Sequence, residues 1–522
     1  MNIPARELEL KLLGRPDEIT SLLDAPPLRA ARRGEPVRMR LEAVYYDTPD
    51  RRLRQRGISF RVRTGERGYI QTVKTEARAE GAGMDRGEWE VALTSPTPRP
   101  EAFTDPDARA ALGLILPREL RSAFRTVIDR TACELEWPDA EGGGARIALA
   151  VDIGRIIAGR RELPVAEIEL ESIEGSEQAI FDLAEQCGAL ATLRPSREAK
   201  SDRGWRLATG APPPWRRAGK VELDGEASLD DGIRTILAAG LAHWLDNESA
   251  AADGRQSEGV HQMRVALRRL RSALSLFRPY LGEADRVAFG DDLRRIVRAL
   301  GPARDLDVLH EEVIGEPLRA MPGRPSLQAL AGLVDAERER AYEQVRRMVA
   351  SADYARALLR FTVWVGRRGW RIQADPDRLA ALAEPLEIHA RRLLDKRRKA
   401  ALKRGRNFLD LDATQRHELR IALKKLRYAG EFFVSLYRRK ATAQYLARVA
   451  DLQERLGRLN DASVAAGTLR ALLDRHAGRA DMADLALAAG EVVGWHGRGA
   501  ADSEPELESA WRGFVDARPF WH

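Results

Sequence analysis

The chain has 522 residues, enough for two to four domains at roughly 100–200 residues each. Hydrophobic residues make up 44% and charged residues 32%, so cores can be buried and global disorder is excluded. The 86 basic residues exceed the 79 acidic ones by little, for a net charge of +7, so the placement of cations decides whether a polyanion is bound.

The N-terminus, Met1-Asn2-Ile3-Pro4-Ala5-Arg6-Glu7, lacks the basic-then-apolar layout of a signal peptide, and no apolar run approaches the ~20 residues needed to cross a bilayer. Cys133 and Cys187 cannot make a disulfide framework or a four-thiolate zinc site. The expectation is a cytoplasmic protein without membrane contact. Period-two segments follow along the first 200 or so residues: Glu7-Leu8-Glu9-Leu10-Lys11, Ile58–Arg63, Tyr69–Lys74 and Ala166–Glu171. Each reads as a strand with one apolar and one charged face. In Glu167-Ile168-Glu169-Leu170-Glu171 the charged face carries three carboxylates, and in Phe60-Arg61-Val62-Arg63 it carries two guanidinium groups. Such strands are either ordinary antiparallel strands with a solvated polar face or the staves of a barrel with its charges turned inward. In the second case the acidic strands suit a metal and the basic ones phosphate.

Taken in order, the segments resemble the CYTH domain, the triphosphate tunnel metalloenzyme family. Glu7-Leu8-Glu9-Leu10-Lys11 resembles its ExExK signature. Tyr46-Asp47-Thr48-Pro49, Phe60–Arg63, Arg86-Gly87-Glu88-Trp89-Glu90, Asp152, Glu167–Glu171 and Pro195–Lys200 with Arg203-Gly204 follow in the family's order, with Glu198 departing from the small polar residue expected there. The resemblance covers residues 1–208 and implies an eight-stranded antiparallel β tunnel or barrel. It further implies that Glu7, Glu9, Asp152, Glu167 and Glu169 hold Mg²⁺ or Mn²⁺, with Glu171 as a further acid, and that Lys11, Arg61, Arg63, Lys74, Arg86, Arg130, Lys200 and Arg203 bind phosphate oxygens. Glu7, Glu9, Lys11, Arg61, Arg63, Lys74 and Lys200 are the catalytic set that it suggests. Family members act on inorganic triphosphate, thiamine triphosphate, RNA 5′-triphosphates or, as cyclases, ATP. No histidine precedes His243, which excludes a histidine nucleophile or ligand in this part of the chain.

The proline run Gly210-Ala211-Pro212-Pro213-Pro214-Trp215 reads as a stiff linker, set at 209–221. Beyond it, 3.6-residue periodicity dominates, as in Val260–Phe277, Arg416–Tyr437 and Tyr445–Leu459. The segment His261-Gln262-Met263-Arg264-Val265-Ala266-Leu267-Arg268-Arg269-Leu270-Arg271 has a twin in His417-Glu418-Leu419-Arg420-Ile421-Ala422-Leu423-Lys424-Lys425-Leu426-Arg427. Leu300-Gly301 through Asp305 and Leu456-Gly457 through Asp461 follow at the same interval, so the helical half is an internal repeat, divided at about 222–375 and 376–515. In each helix His261, Arg264, Arg268 and Arg271, or His417, Arg420, Lys424 and Arg427, fall on one face. Such a face is either solvated and paired with acids of neighbouring helices or the wall of an anion groove. A third run, Arg391 to Arg406, holds nine basic residues around Asp395 and is open to the same two readings.

The repeated helices resemble the CHAD domain, the conserved-histidine α-helical domain, over about 222–515. The resemblance implies two pseudo-symmetric bundles around a basic pore and binding of inorganic polyphosphate by the eight residues of the two faces. No aromatic residue interleaves His261–Arg271, which argues against a single-strand nucleic-acid groove. The expectation is an α+β multidomain protein, a CYTH domain fused to a CHAD domain. The combination implies an inorganic triphosphatase carrying a polyphosphate-binding module, associated with polyphosphate granules, or alternatively a granule-bound binding protein without activity.

Overall fold

Alternation along the N-terminal third produces strands where the side chains divide cleanly into a charged and an apolar set. In the computed structural model, which describes residues 8–65, 68–75, 78–80, 83–85, 87–139, 143–501 and 504–522, these strands form one antiparallel sheet. Its members in chain order are β1 (Glu9–Leu13), β2 (Arg32–Asp47), β3 (Ile58–Gly65) and β4 (Gly68–Thr75). The small hairpin of β5 (Arg78–Glu80) and β6 (Gly83–Asp85) stands apart from the sheet. Then come β7 (Glu88–Leu93), β8 (Arg121–Pro138), β9 (Gly144–Ala158), β10 (Arg161–Glu174) and β11 (Arg194–Ser196). The spatial order is β11-β1-β10-β9-β8-β2-β3-β4-β7.

The expected eight-stranded closed tunnel is therefore corrected. Among the described residues the sheet has nine strands, and its edges, β11 and β7, do not pair with each other. Closure requires hydrogen bonding between those two edges, and a three-residue β11 offers little ladder to close upon. Irregular register at Arg33/Val37 and Tyr45/Tyr46 in β2 and at Ser172/Glu174 in β10 bends the long central strands.

Register fixes which residues share a face. Lys11 lies opposite Glu169, Glu167 opposite Asp152, and Asp152 opposite Arg130. Further along, Tyr45 is opposite Arg61, Arg61 opposite Thr72, and Lys74 opposite Glu88. Because side chains alternate with period two, all of these charged positions stand on one face of the sheet. Leu12, Leu149, Val151, Ile168 and Leu170 fill the other face and are fully or nearly fully buried. They pack against the helix Glu177–Leu190 through Phe181, Leu183 and Cys187.

The chain forms two compact units, Met1–Pro214 with Ala350–Gly369, and Trp215–Val349 with Trp370–His522. The returning helix Ala352–Gly366 puts Leu359 and Val363 into the core beneath the sheet. The approach is close: a Cβ on Gly188 would collide with Leu359 Cδ2, and one on Gly366 would stand 2.5 Å from the Phe181 ring.

The second unit is helical. Helix Leu229–Asp253 pairs with Ser257–Leu276, and helix Leu386–Arg404 pairs with Ala413–Phe433, so each basic helix is the second arm of a hairpin. Met263, Leu267, Leu270 and Leu274 on one arm, with Leu419, Leu423 and Leu426 on the other, are fully or nearly fully buried. Phe277 and Phe433 meet edge to face with ring centres 6.3 Å apart. Among the described residues, no helix is long and apolar enough to cross a membrane.

Candidate active site and anion cavity

The charged face of the sheet lines a cavity of about 1090 Å³. Its acidic end is built by β9 and β10. Asp152, Glu167 and Glu169 bring carboxylate oxygens within 4.8 Å of one another, with Asp152 and Glu167 wholly buried. Three hard oxygen donors converging in this way suit a divalent cation such as Mg²⁺ or Mn²⁺. The strongest sign of fit is the group that occupies the trio. The Lys200 ammonium, at the start of helix Lys200–Thr209, lies 2.7 Å from Asp152, 2.5 Å from Glu167 and 2.9 Å from Glu169. A single positive charge thus sits where three negative ones meet.

Other cations complete the neutralisation. Arg130 grips Asp152 with two bonds of 2.6 Å and reaches Glu169 at 2.5 Å, and the buried Arg203 pairs with Glu167. Lys11 stands 3.4 Å from Glu169, 3.7 Å from Glu167 and 3.9 Å from Glu9. Burial alone would push the Glu169 carboxyl up, but Lys200, then Lys11 and Arg130, hold it well below the usual carboxylate range. Burial likewise works against the charged form of Lys200, and Glu169, Asp152 and Glu167 more than reverse it, raising its pKa.

The opposite end of the cavity is basic. Arg61 and Arg63 from β3 and Lys74 from β4 line it. Arg61 donates to the Tyr45 hydroxyl at 3.5 Å, Arg63 to Glu90 at 3.1 Å, and Lys74 pairs with Glu88 at 2.5 Å. The structure therefore brings Glu9, Lys11, Arg61, Arg63, Lys74, Arg130, Asp152, Glu169 and Lys200 to one cavity, with Glu171 also on its wall. Glu167, the buried member of the trio that is set back from the cavity wall, pairs with Arg203, which is also set back, while Glu7 and Arg86 lie outside the described residues. Glu88 and Glu90 fall in the Arg86–Glu90 segment that the sequence singles out, with no role assigned to either, and their parity on β7 places them on the charged face. Asp47, in the Tyr46–Pro49 segment, serves the backbone instead. It accepts from the amides of Thr48, Leu53 and Arg54 and shapes the turn after β2.

In the helical unit a second cavity of about 1050 Å³ gathers His261, Arg264, Arg268, His417, Arg420, Lys424 and Arg427. Arg271 instead lines a neighbouring cavity of about 610 Å³ with Arg268 and Lys424, whose lining among the described residues includes no carboxylate. The repeated glycines acquire a reason here. A Cβ on Gly301 would stand 3.5 Å from the Arg264 guanidinium, and one on Gly457 would stand 3.0 Å from that of Arg420. Each arginine of the repeat thus lies across a helix that the glycine keeps bare. Arg264 also donates to the Val297 carbonyl at 2.9 Å. Arg427 pairs with Glu431 at 2.8 Å, and the same carboxylate takes Arg269. Burial first, then Arg304, Arg268 and Arg264, hold the His261 pKa below its ordinary value, against the opposing pull of Glu258. In the third basic run, Arg391 pairs with Glu387 at 2.6 Å, and Arg397 and Arg398 donate to Ser275 and to the Val515 carbonyl at 3.1 Å.

Comparison with known proteins follows the same division. Residues 5–204 match the family model of the CYTH domain, and residues 235–470 match that of the CHAD domain. A curated relative, the inorganic triphosphatase of Haemophilus influenzae, is 29% identical over 217 residues, covering 40% of this chain and 56% of that protein. The matched stretch thus spans little more than half of the relative's length. Among solved structures, the CHAD domain from the plant Ricinus communis is 32% identical, covers 59% of this chain and 98% of that one, and superposes with a TM-score of 0.50. PptA from Streptomyces chartreusis is 18% identical, with 56% of this chain and 99% of that one covered and a TM-score of 0.38.

Proposed function

Since the chain is a CYTH domain followed by a CHAD domain, we propose that it hydrolyses inorganic triphosphate to phosphate and pyrophosphate in the sheet cavity and binds inorganic polyphosphate through its helical unit. The observation that carries the first part is the polarity of the cavity: a carboxylate trio filled by an ammonium at one end, and Arg61, Arg63 and Lys74 at the other. Triphosphate carries both partners that such a cavity suits, a chelated divalent cation and a row of anionic oxygens. The name of the Haemophilus influenzae relative supports the same substrate.

Asp152, Glu167 and Glu169, with Glu9 and Glu7, are the residues that would hold Mg²⁺ or Mn²⁺. When bound, the cation supplies Lewis acidity toward a phosphoryl oxygen and acidifies a water. The chain's own cations do the rest. Arg61 and Arg63, set two residues apart on one strand face, offer guanidinium forks to successive phosphates. Lys74, Lys11 and Lys200 add point charges, and together these groups favour the charge that gathers on a departing pyrophosphate. Water is the acceptor, and no covalent protein intermediate is needed. In the helical unit, two histidine-led faces supply arginines and lysines to a linear anion. Among the described residues the cavity lining offers one Phe, Tyr or Trp ring, Tyr428, too few for a run of stacked bases. Such binding would place a cytoplasmic enzyme at polyphosphate granules, close to short-chain substrate.

The test is phosphate release by the full chain with Mg²⁺ or Mn²⁺, comparing triphosphate, thiamine triphosphate and ATP, with Glu9→Ala as control. Rapid, Glu9-dependent turnover of triphosphate alone is expected. Absence of turnover on all three with either metal would reduce the sheet cavity to a binding site.

A further inference from the structure

We infer that the segment Trp215–Lys220, outside the matched CHAD region, is a fixed strap whose Arg217 and Lys220 are part of the polyanion site of the helical unit. The inference rests on the reading of that cavity as a polyphosphate site. The proline run ahead of it suggests a spacer, and the segment has no regular secondary structure. Nevertheless it is pinned at both ends. The Asn247 side chain, wholly buried on helix Leu229–Asp253, accepts from the Arg216 amide at 2.9 Å and donates to the Arg216 carbonyl at 2.9 Å. It also donates to the His243 carbonyl at 2.8 Å, so its amide is held in one orientation.

His243 adds a second clamp. Its Nε2 lies 3.1 Å from both the Arg216 carbonyl and Gln262 Oε1, two acceptors that require this nitrogen to carry the proton. Gln262 follows His261 on the basic helix, so the strap is tied directly to the element that bears the anion-facing histidine. At the far end Val221 and Leu223 are buried, and the Leu223 amide donates to Ser435 Oγ at 2.9 Å.

Between these anchors Arg217, Ala218, Gly219 and Lys220 form part of the wall of the cavity that holds His261 and His417. Both basic side chains are exposed, and neither makes an ion pair among the described residues. Arg217 has the Trp215 ring 5.8 Å from its guanidinium carbon, which orients the cation without neutralising it. Gly219 has open space where a Cβ would stand, so its lack of a side chain leaves the cavity wall low at that point. Two cations held on an ordered, unneutralised strap beside a basic cavity have anions as their natural partners. Asn247 is a positioning residue for them, and touches no phosphate itself.

The test uses the full chain and a defined inorganic polyphosphate, with Kd measured over a range of salt. The Arg217→Ala/Lys220→Ala double variant is expected to bind about 5- to 30-fold more weakly. Its slope of log Kd against log salt should fall by about 1.4, taking the ~0.7 per contact of flexible single strands. Asn247→Ala, which frees the strap, should lower the slope toward the same value, a change that general loosening of the helices would not select. Trypsin gives an independent readout: polyphosphate should protect the bonds after Arg216, Arg217 and Lys220 in the wild-type chain. Unchanged affinity and slope in the double variant, with wild-type binding intact, would overturn the strap's role. Failure of the wild-type chain to bind polyphosphate at all would instead overturn the reading of the cavity.

Discussion

Lys200→Ala tests whether an ammonium is standing in for a metal. The substitution removes the cation that, among the described residues, pairs with all three of Asp152, Glu167 and Glu169, two of which are wholly buried. Breaking one partner out of a buried ionic cluster costs about 3–5 kcal/mol. Arg130, Arg203 and Lys11 remain beside the trio, so the lower end, about 3 kcal/mol, is the better figure here. At about 2–4 °C per kcal/mol for a unit of this size, the N-terminal unit should melt about 6–12 °C lower in chelator. The same deletion should improve metal binding. In the wild-type chain a cation must displace the ammonium before it meets the carboxylates, whereas in the variant it meets them unopposed. At tenfold per 1.4 kcal/mol, Mn²⁺ titrated calorimetrically in the absence of triphosphate should bind about 10- to 100-fold more tightly. Saturating Mn²⁺ should then recover most of the lost melting temperature. A variant that binds Mn²⁺ no better than wild type, or melts within about 2 °C of it in chelator, would refute the reasoning.

Arg63→Ala should lower kcat/KM for triphosphate about 10- to 100-fold while shifting stability by less than about 1 kcal/mol, because its partner Glu90 is itself partly exposed. Steady-state kinetics and urea melts separate the two effects. Leu359→Ala should destabilise the N-terminal unit by about 2–4 kcal/mol, as for a well-packed core leucine, with the midpoint of its urea transition as the measure. His261 has a pKa depressed below its ordinary value by burial and then by Arg304, and a bound polyanion must raise it. Binding therefore takes up a proton, and polyphosphate affinity should increase as pH falls from about 7.5 to about 5.5. His261→Gln should flatten that profile, and a flat wild-type profile would contradict the assignment.

Much of this is legible in the sequence because charge and apolarity alternate so strictly. The parity of Glu167, Glu169 and Glu171 against Ile168 and Leu170 puts the carboxylates on one face whatever the strand pairs with. The parity of Arg61 and Arg63 does the same for the cations. Closure of the sheet is not legible, because it depends on whether two distant edges meet, and no pattern within β7 or β11 encodes that. Lys200 shows another limit. Resemblance implies a phosphate ligand, but buried carboxylates attract the nearest mobile cation, and the ammonium rests among them. The histidine-led repeat announces itself, including Gly301 and Gly457, whose purpose becomes clear only with Arg264 and Arg420 lying over them. The strap reads as a linker because nothing local distinguishes it. Its order comes from Asn247 and His243, residues whose neighbours in sequence carry no sign of the duty.

The helix Ala352–Gly366 has a consequence for how this protein must be made. Leu359 and Val363 belong to the core beneath the sheet, yet they are synthesised long after the last strand. At ~5–20 residues per second a ribosome takes roughly 7–30 s to travel from Pro214 to Gly366. Throughout that interval the nascent sheet and its helix Glu177–Leu190 present an unfinished apolar face around Phe181. The sheet unit cannot complete its folding until much of the helical half has left the ribosome. A gene truncated after the proline run would encode every residue that lines the sheet cavity and still leave its floor unfinished.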